Sequence, residues 1–147
     1  MFEININNSI IDGRLFYKKS EYSFFFTPHK NTDISLLINY LQLNFNSIDH
    51  RLYSIDGFHA YTNWEKRNLI LPKCVLGELY LNDDLESGDV KRIINNAPTF
   101  FDEEKQIVCV GSIEQDGSVS VKVSSDIIVS IKDNDITSLW LSPTITI

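Results

Sequence analysis

Carboxylates are the most conspicuous chemistry-bearing groups of this chain. Glu78, Asp83, Asp84, Glu86 and Asp89 follow one another closely, then Asp102, Glu103 and Glu104, and no Lys or Arg stands between Cys74 and Val90. Carboxylates at such density can bind a divalent cation, share a proton in acid–base work, or attract a basic partner. A calcium loop needs the D-x-D-x-D-G ladder closed by a glutamate, and these residues lack both the ladder and the closing residue. Two readings are left: a solvated acidic face, or a docking surface whose single sign steers a basic partner to it. The eight residues named above are the candidate partner-binding set.

A second constellation, Asp49, His50, Asp56 and His59, mixes residue types that hold metals or move protons. Its spacing matches no helix-borne or loop-borne ligand motif, so the histidines read as structural or exposed and no metal is expected. A serine hydrolase needs its nucleophile on a sharp turn, and neither G-x-S-x-G nor a papain-like cysteine context occurs. The six glycines form no phosphate-cradling loop, so no nucleotide cofactor is expected. Cys74 and Cys109 belong to no C-x-x-C or Cys/His cluster and read as two buried free thiols. The rings of Phe16, Tyr17, Tyr22, Phe24, Phe25 and Phe26 beside Lys18 and Lys19 have the composition of a stacking platform for single-stranded nucleic acid. A core strand with alternate rings outward explains them better in a chain of net charge −7.

That charge is unevenly placed: the residues through Lys73 carry net +1 and those from Cys74 onward −8. The acidity opposes binding to nucleic acid or anionic membrane, which reward Lys/Arg patches. With 147 residues, 43% of them apolar, the chain has the size of one domain, 1–147, with a closed core. No apolar run approaches the roughly 18 residues of a membrane span, and MFEININNSI lacks the basic start and apolar stretch of a secretory signal. A cytoplasmic protein is the expectation.

The elements that position these residues follow from periodicity. Phe2, Ile4 and Ile6 alternate with polar residues as in a half-buried strand, and Arg14–Lys19 and Tyr22–Thr27 read as two hairpin strands or one bent strand. Ile34, Leu37, Ile38, Leu41 and Phe45 follow helical spacing, which predicts a long amphipathic helix over Asp33–Asn46. Short strands are expected at Arg51–Ile55, Phe58–Tyr61 and Leu69–Leu71, then at Val75–Leu81. Val90, Ile93, Ile94 and Ala97 predict a short helix stopped by Pro98. The unbroken run Ile107–Val110 reads as a central strand buried on both faces. Asp116-Gly117 predicts a hairpin, and Val119–Val123, Ile127–Ile131 and Ile136–Leu141 an antiparallel meander turning at Asp133–Asp135. The expected class is α+β: a mainly antiparallel sheet with one long and one short amphipathic helix.

A small acidic α+β domain without a catalytic constellation resembles the immunity proteins of bacterial toxin systems, including those of contact-dependent growth inhibition. Ile, Asn and Lys make up 41 of the 147 residues, the bias that AT-rich codons produce, and toxin–immunity loci are often AT-rich. The resemblance implies a protein that binds a cognate toxin domain, frequently a basic nuclease, and blocks its active site or substrate path. Acidic side chains opposite the toxin's phosphate-binding Lys and Arg would speed encounter, and an aromatic anchor such as Trp64, Tyr80 or Phe101 would add affinity. The alternatives are a small-molecule or metal-dependent enzyme using His50, Asp56 and His59, and an oligomeric accessory protein.

Overall fold

The computed structural model describes all residues 1–147. The chain forms fifteen strands and two three-residue 3-10 turns, Lys19–Glu21 and Tyr61–Asn63, with no α-helix. The class is therefore all-β, and both expected helices are corrected. In chain order the strands are β1 (Phe2–Ile6), β2 (Arg14–Lys18), β3 (Ser23–Thr27), β4 (Ile34–Ile38), β5 (Leu41–Phe45), β6 (Leu52–Phe58), β7 (Glu65–Lys66) and β8 (Val75–Leu81). They continue with β9 (Val90–Ile94), β10 (Thr99–Asp102), β11 (Ile107–Gly111), β12 (Val119–Ser124), β13 (Ile127–Lys132), β14 (Asp135–Leu141) and β15 (Thr144–Thr146).

The segment expected as a long helix is the β4–β5 hairpin. Its apolar residues satisfy two periods at once. Ile34, Leu36 and Ile38, then Leu41, Leu43 and Phe45, form a complete alternation interrupted only at Asn39-Tyr40, and all six are 1% exposed or less. A helix would bury one stripe and leave Leu36 and Leu43 beside it, whereas two strands bury the whole set. Pairing of Ile38 with Leu41 leaves Asn39 and Tyr40 as a two-residue loop, with Asn39 at φ +56°, a conformation asparagine tolerates better than most residues. The expected short helix is β9, an edge strand parallel to β4. Its β-branched Val90, Ile93 and Ile94 suit a pleated surface, and Pro98 follows the strand instead of stopping a helix.

Two sheets result, with orders β1-β8-β12-β13-β14-β11-β10-β7 and β15-β2-β3-β6-β5-β4-β9. Their inner faces enclose one core of 26 buried residues drawn from both sheets, including Leu15, Tyr17, Phe24 and Phe45 from one and Leu79, Val108, Val129 and Leu139 from the other. A smaller cluster lies apart from it, where Leu69 covers Ile107, Cys109, Ile128 and Trp140. Leu69 is thus an anchor in a connection, not part of a strand. No helix is long and apolar enough to cross a membrane.

Several expected strands are present. The Arg14–Thr27 aromatics form the β2–β3 hairpin with Tyr17, Phe24 and Phe26 inward, while Phe16 stacks on Phe25 outside at 5.2 Å. The expected segments Arg51–Ile55 and Phe58–Tyr61 give one strand, β6, ending at Phe58. Every residue of β11 is buried, and β12, β13 and β14 form the meander. Its β13–β14 turn holds Asp133 at φ +53° and Asn134 at φ +66°, the backbone of a type I′ hairpin. Asp116-Gly117, by contrast, closes no hairpin, because β13 and β14 separate β12 from β11 in the sheet. The loop instead lays Gln115 over the buried serines, its Oε1 accepting from Ser120 and Ser130. Cys109 is buried, which pushes its thiol up to about 12, but Cys74 is exposed, against expectation.

Candidate functional site: an aromatic cleft

The strand order does not collect the acidic residues into one face. Glu78 is buried on β8, where it accepts hydrogen bonds from Asn5 at 3.2 Å, Tyr80 at 3.0 Å and Asn7, and pairs with Arg51 at 2.9 Å. Burial opposes its ionisation, but these donors and the guanidinium outweigh it and hold the carboxyl below its usual range. Asp102 is 3% exposed and accepts from the backbone N–H groups of Leu69 at 2.8 Å and Lys105 at 3.0 Å, so it clamps the Leu69 connection and its carboxyl is also held down. Both are structural carboxylates and are corrected as docking residues.

The other six remain at the surface, in two places. Asp83, Asp84, Glu86 and Asp89 occupy the β8–β9 connection, tied to β4 by Gly88 N–H to the Asp33 carbonyl at 2.7 Å and Ser35 N–H to the Asp89 carbonyl at 3.0 Å. Glu103 and Glu104 lie in the β10–β11 turn of the other sheet. No hydrogen bond or ion pair joins the two groups. Lys91 on β9 reaches back eight residues to Asp83 at 3.5 Å, and Lys66 on β7 reaches Glu103 at 3.0 Å, so one carboxylate of each group is paired. Asp84, Glu86, Asp89 and Glu104 are left without an ion pair.

The histidine constellation is dispersed. His50 and His59 flank opposite ends of the seven-residue β6. His50 Nδ1 meets the Leu81 carbonyl at 3.2 Å, and Asp56 accepts from Phe26 N–H at 2.9 Å and Asn44 Nδ2 at 2.7 Å. They share no site.

What the fold does assemble is a cleft of about 400 Å³ at one end of the sandwich, within the size range of small-molecule sites. Three segments build it: the β4–β5 loop with Asn39 and Tyr40, the end of β6 at Phe58 with the chain after it to Trp64, and the β9–β10 link with Asn96 and Ala97 running into Thr99 of β10. Asn39 pins the link by donating to the Ala97 carbonyl at 3.1 Å and accepting from Ala97 N–H at 2.8 Å. On the opposite wall the buried Tyr17 hydroxyl donates to the His59 carbonyl at 2.6 Å and accepts from Tyr61 N–H at 3.0 Å. Burial pushes that phenol up to about 12, which keeps it an intact donor.

At the floor, His59 and Thr99 are 7% and 8% exposed, with Nε2 and Oγ1 2.7 Å apart. An imidazole beside a hydroxyl has the form of an activated nucleophile. Here burial lowers the imidazole to about 4, which makes it a weak base at neutral pH, and no carboxylate orients its other nitrogen. The pair is a lock between β10 and the chain leaving β6. Trp64 packs on Tyr17 at 4.8 Å and Phe101 at 5.5 Å, and its enclosed indole N–H has no acceptor.

The anchors expected from sequence, Trp64, Tyr80 and Phe101, are therefore half-buried packing residues. The exposed rings are others: Phe25 at 37%, on the outside of the β2–β3 hairpin, and Tyr40 at 65%, Phe58 at 48%, and Tyr22 and Tyr61 at 38% each; the last four form a strip. They touch in sequence, Tyr40 to Phe58 at 6.3 Å, Phe58 to Tyr22 at 6.1 Å and Tyr22 to Tyr61 at 5.5 Å, with the Lys19 ammonium 5.4 Å over the Tyr61 ring. The cleft and this strip escaped sequence reasoning because Tyr40 was placed inside a helix; the available signal was Asn39-Tyr40 between two alternating runs. A scan against protein-family models and a search of curated proteins both find no match for this chain.

Proposed function

We propose that this chain is a binding protein of the immunity type, which docks a cognate toxin domain in the bacterial cytoplasm through the aromatic end of its sandwich. The observation that supports the reading best is the continuous strip Tyr40–Phe58–Tyr22–Tyr61, four rings in mutual contact yet substantially exposed. Rings held this way give up little side-chain entropy on binding, and burying them in a partner supplies the large contact area of hot-spot residues. The frame behind them is rigid, since His59 N–H donates to the Tyr22 carbonyl at 2.7 Å and the Tyr17 hydroxyl fixes the turn that carries Tyr61.

Charge takes the supporting part. The net −7, with Asp84, Glu86, Asp89 and Glu104 free of ion pairs, favours encounter with a basic domain such as a nuclease and acts on association rate more than on affinity. The test is co-expression with candidate toxin domains, taken as the C-terminal domain of any large secreted protein that a neighbouring gene encodes. Wild type should restore growth, and the double variant Tyr40→Ser, Phe58→Ser should fail to, with circular dichroism unchanged. Asp84→Lys with Glu86→Lys should slow association at low salt and lose that effect as the Debye length falls from about 10 Å at 0.1 M to about 3 Å at 1 M. Full protection by the aromatic double variant would sink the reading.

A further inference from the structure

We infer that the cleft between Tyr40, Phe58 and Asn96 is a binding site for a neutral, hydroxyl-rich ring, that is, a sugar residue. This goes beyond the docking proposal and does not rest on it: the two share Tyr40 and Phe58, but the sugar site turns on the carboxamides of Asn63 and Asn96, which docking does not use.

The chemistry of the walls selects the ligand. No Asp, Glu, Lys or Arg lines the cleft, and the one titratable floor group, His59, is held neutral by burial down to about pH 4. A charged ligand finds no counter-charge among the lining residues: the Arg92 guanidinium lies over the Tyr40 ring in the adjoining pocket and donates to the Asn39 carbonyl at 2.9 Å, and an anion also meets a protein of net charge −7. A wholly apolar ligand would cover the carboxamides of Asn63 and Asn96 and strip them of the hydrogen bonds that water gives them, which is unfavourable. Both side chains are exposed on the cleft wall and have no partner within the protein, whereas Asn39 is fully engaged with Ala97. A carboxamide offers donors and an acceptor together, and a sugar hydroxyl is likewise both, so the two match without any change of protonation.

The aromatic groups supply the second half of the recognition. One face of a sugar ring presents C–H bonds carrying slight positive charge, which complement the negative face of an aromatic ring. Tyr40 and Phe58 stand at the rim with interplanar angle 73°, so a ring lying on the face of one meets the edge of the other. Both are well exposed, 65% and 48%, and the Arg92 guanidinium lies over the Tyr40 ring at 5.3 Å, so Phe58 is the rim ring free of a charged group. Amides inside and rings at the rim, with no charged residue lining the cleft, match a polyhydroxylated ring better than an ion.

The experiment is a titration of the full chain, followed by amide and indole NMR, with glucose, galactose, mannose and N-acetylglucosamine in turn, and with adenine as the flat-ring control. At least one sugar should shift the side-chain signals of Asn63, Asn96 and Trp64 to saturation. Asn63→Ala and Asn96→Gly should each raise its Kd tenfold or more with the circular dichroism spectrum unchanged. Glycine is chosen at position 96 because φ there is +54°, where an alanine would strain the backbone. Absence of saturable shifts with every sugar, shifts confined to other surfaces, affinity indifferent to both variants, or tighter binding of adenine than of any sugar would each overturn the inference.

Discussion

His59 is where burial and titration meet. Enclosure lowers its pKa from 6.5 to about 4, so the folded chain resists a proton that the unfolded chain accepts. Between those values the unfolded state binds more protons, and the group's contribution to stability therefore falls as pH drops from about 6.5 towards about 4, by on the order of 3 kcal/mol in all. His59→Gln keeps a polar group opposite Thr99 and removes the titration. Urea unfolding measured at intervals from pH 7 to pH 4.5 should show wild type losing stability faster than the variant. Parallel curves would mean that His59 is reached by water in the folded state. At this scale the sequence was legible in part. A structural role for His59 followed from its lack of a ligand motif, but nothing in the local text announced that Thr99, forty residues on, would meet its ring. The fates of Glu78 and Asp102 were hidden for the same reason, since their partners Arg51 and Leu69 lie in other segments and only the strand order brings them near.

Elements were legible where a single period ran undisturbed. Phe2–Ile6, Val75–Leu81 and the closing meander have one alternation and one plausible turn each, and all are strands. Ile34–Phe45 was misread because its apolar positions fit both a stripe and an alternation, and the tie is broken by Asn39-Tyr40, a two-residue loop that a helix reading treats as two ordinary positions. That loop matters beyond its own hairpin, because the Asn39 carboxamide is what holds the β9–β10 link and so one wall of the cleft. Asn39→Ala should cost about 2–3 kcal/mol, combining left-handed strain of about 1–2 kcal/mol with the lost bonds to Ala97. Asn39→Gly removes the bonds but relieves the strain, and should recover about 1 kcal/mol of that loss. Equal costs for the two variants in urea denaturation would show that the turn conformation contributes nothing and the side-chain tie everything.

Across the whole molecule, the question is how a chain of net charge −7 distributes its carboxylates between holding itself together and meeting something else. Glu78 belongs to the first use. It lies on β8 of one sheet, its partner Arg51 precedes β6 of the other, and Arg51 also bridges to Tyr80, so the pair ties the two sheets at the edge where β1 adds on. The two side chains are only 11% and 13% exposed, so removing one leaves the other poorly solvated. Asp84 and Glu86 belong to the second use, being exposed and without ion pairs in the β8–β9 connection. The sequence displays all three as members of one acidic stretch, and only the pairing of sheets divides them. Glu78→Ala should therefore lower stability by about 3 kcal/mol, which in a chain of this length corresponds to a fall in Tm of about 6–12 °C. The double variant Asp84→Lys, Glu86→Lys changes net charge by four yet should leave Tm within about 2 °C of wild type, since exposed charges contribute little to folding. Scanning calorimetry of both proteins in the same buffer decides it. A large loss in the double variant, or none in Glu78→Ala, would assign the sheet-to-sheet tie to the loop instead of the strand.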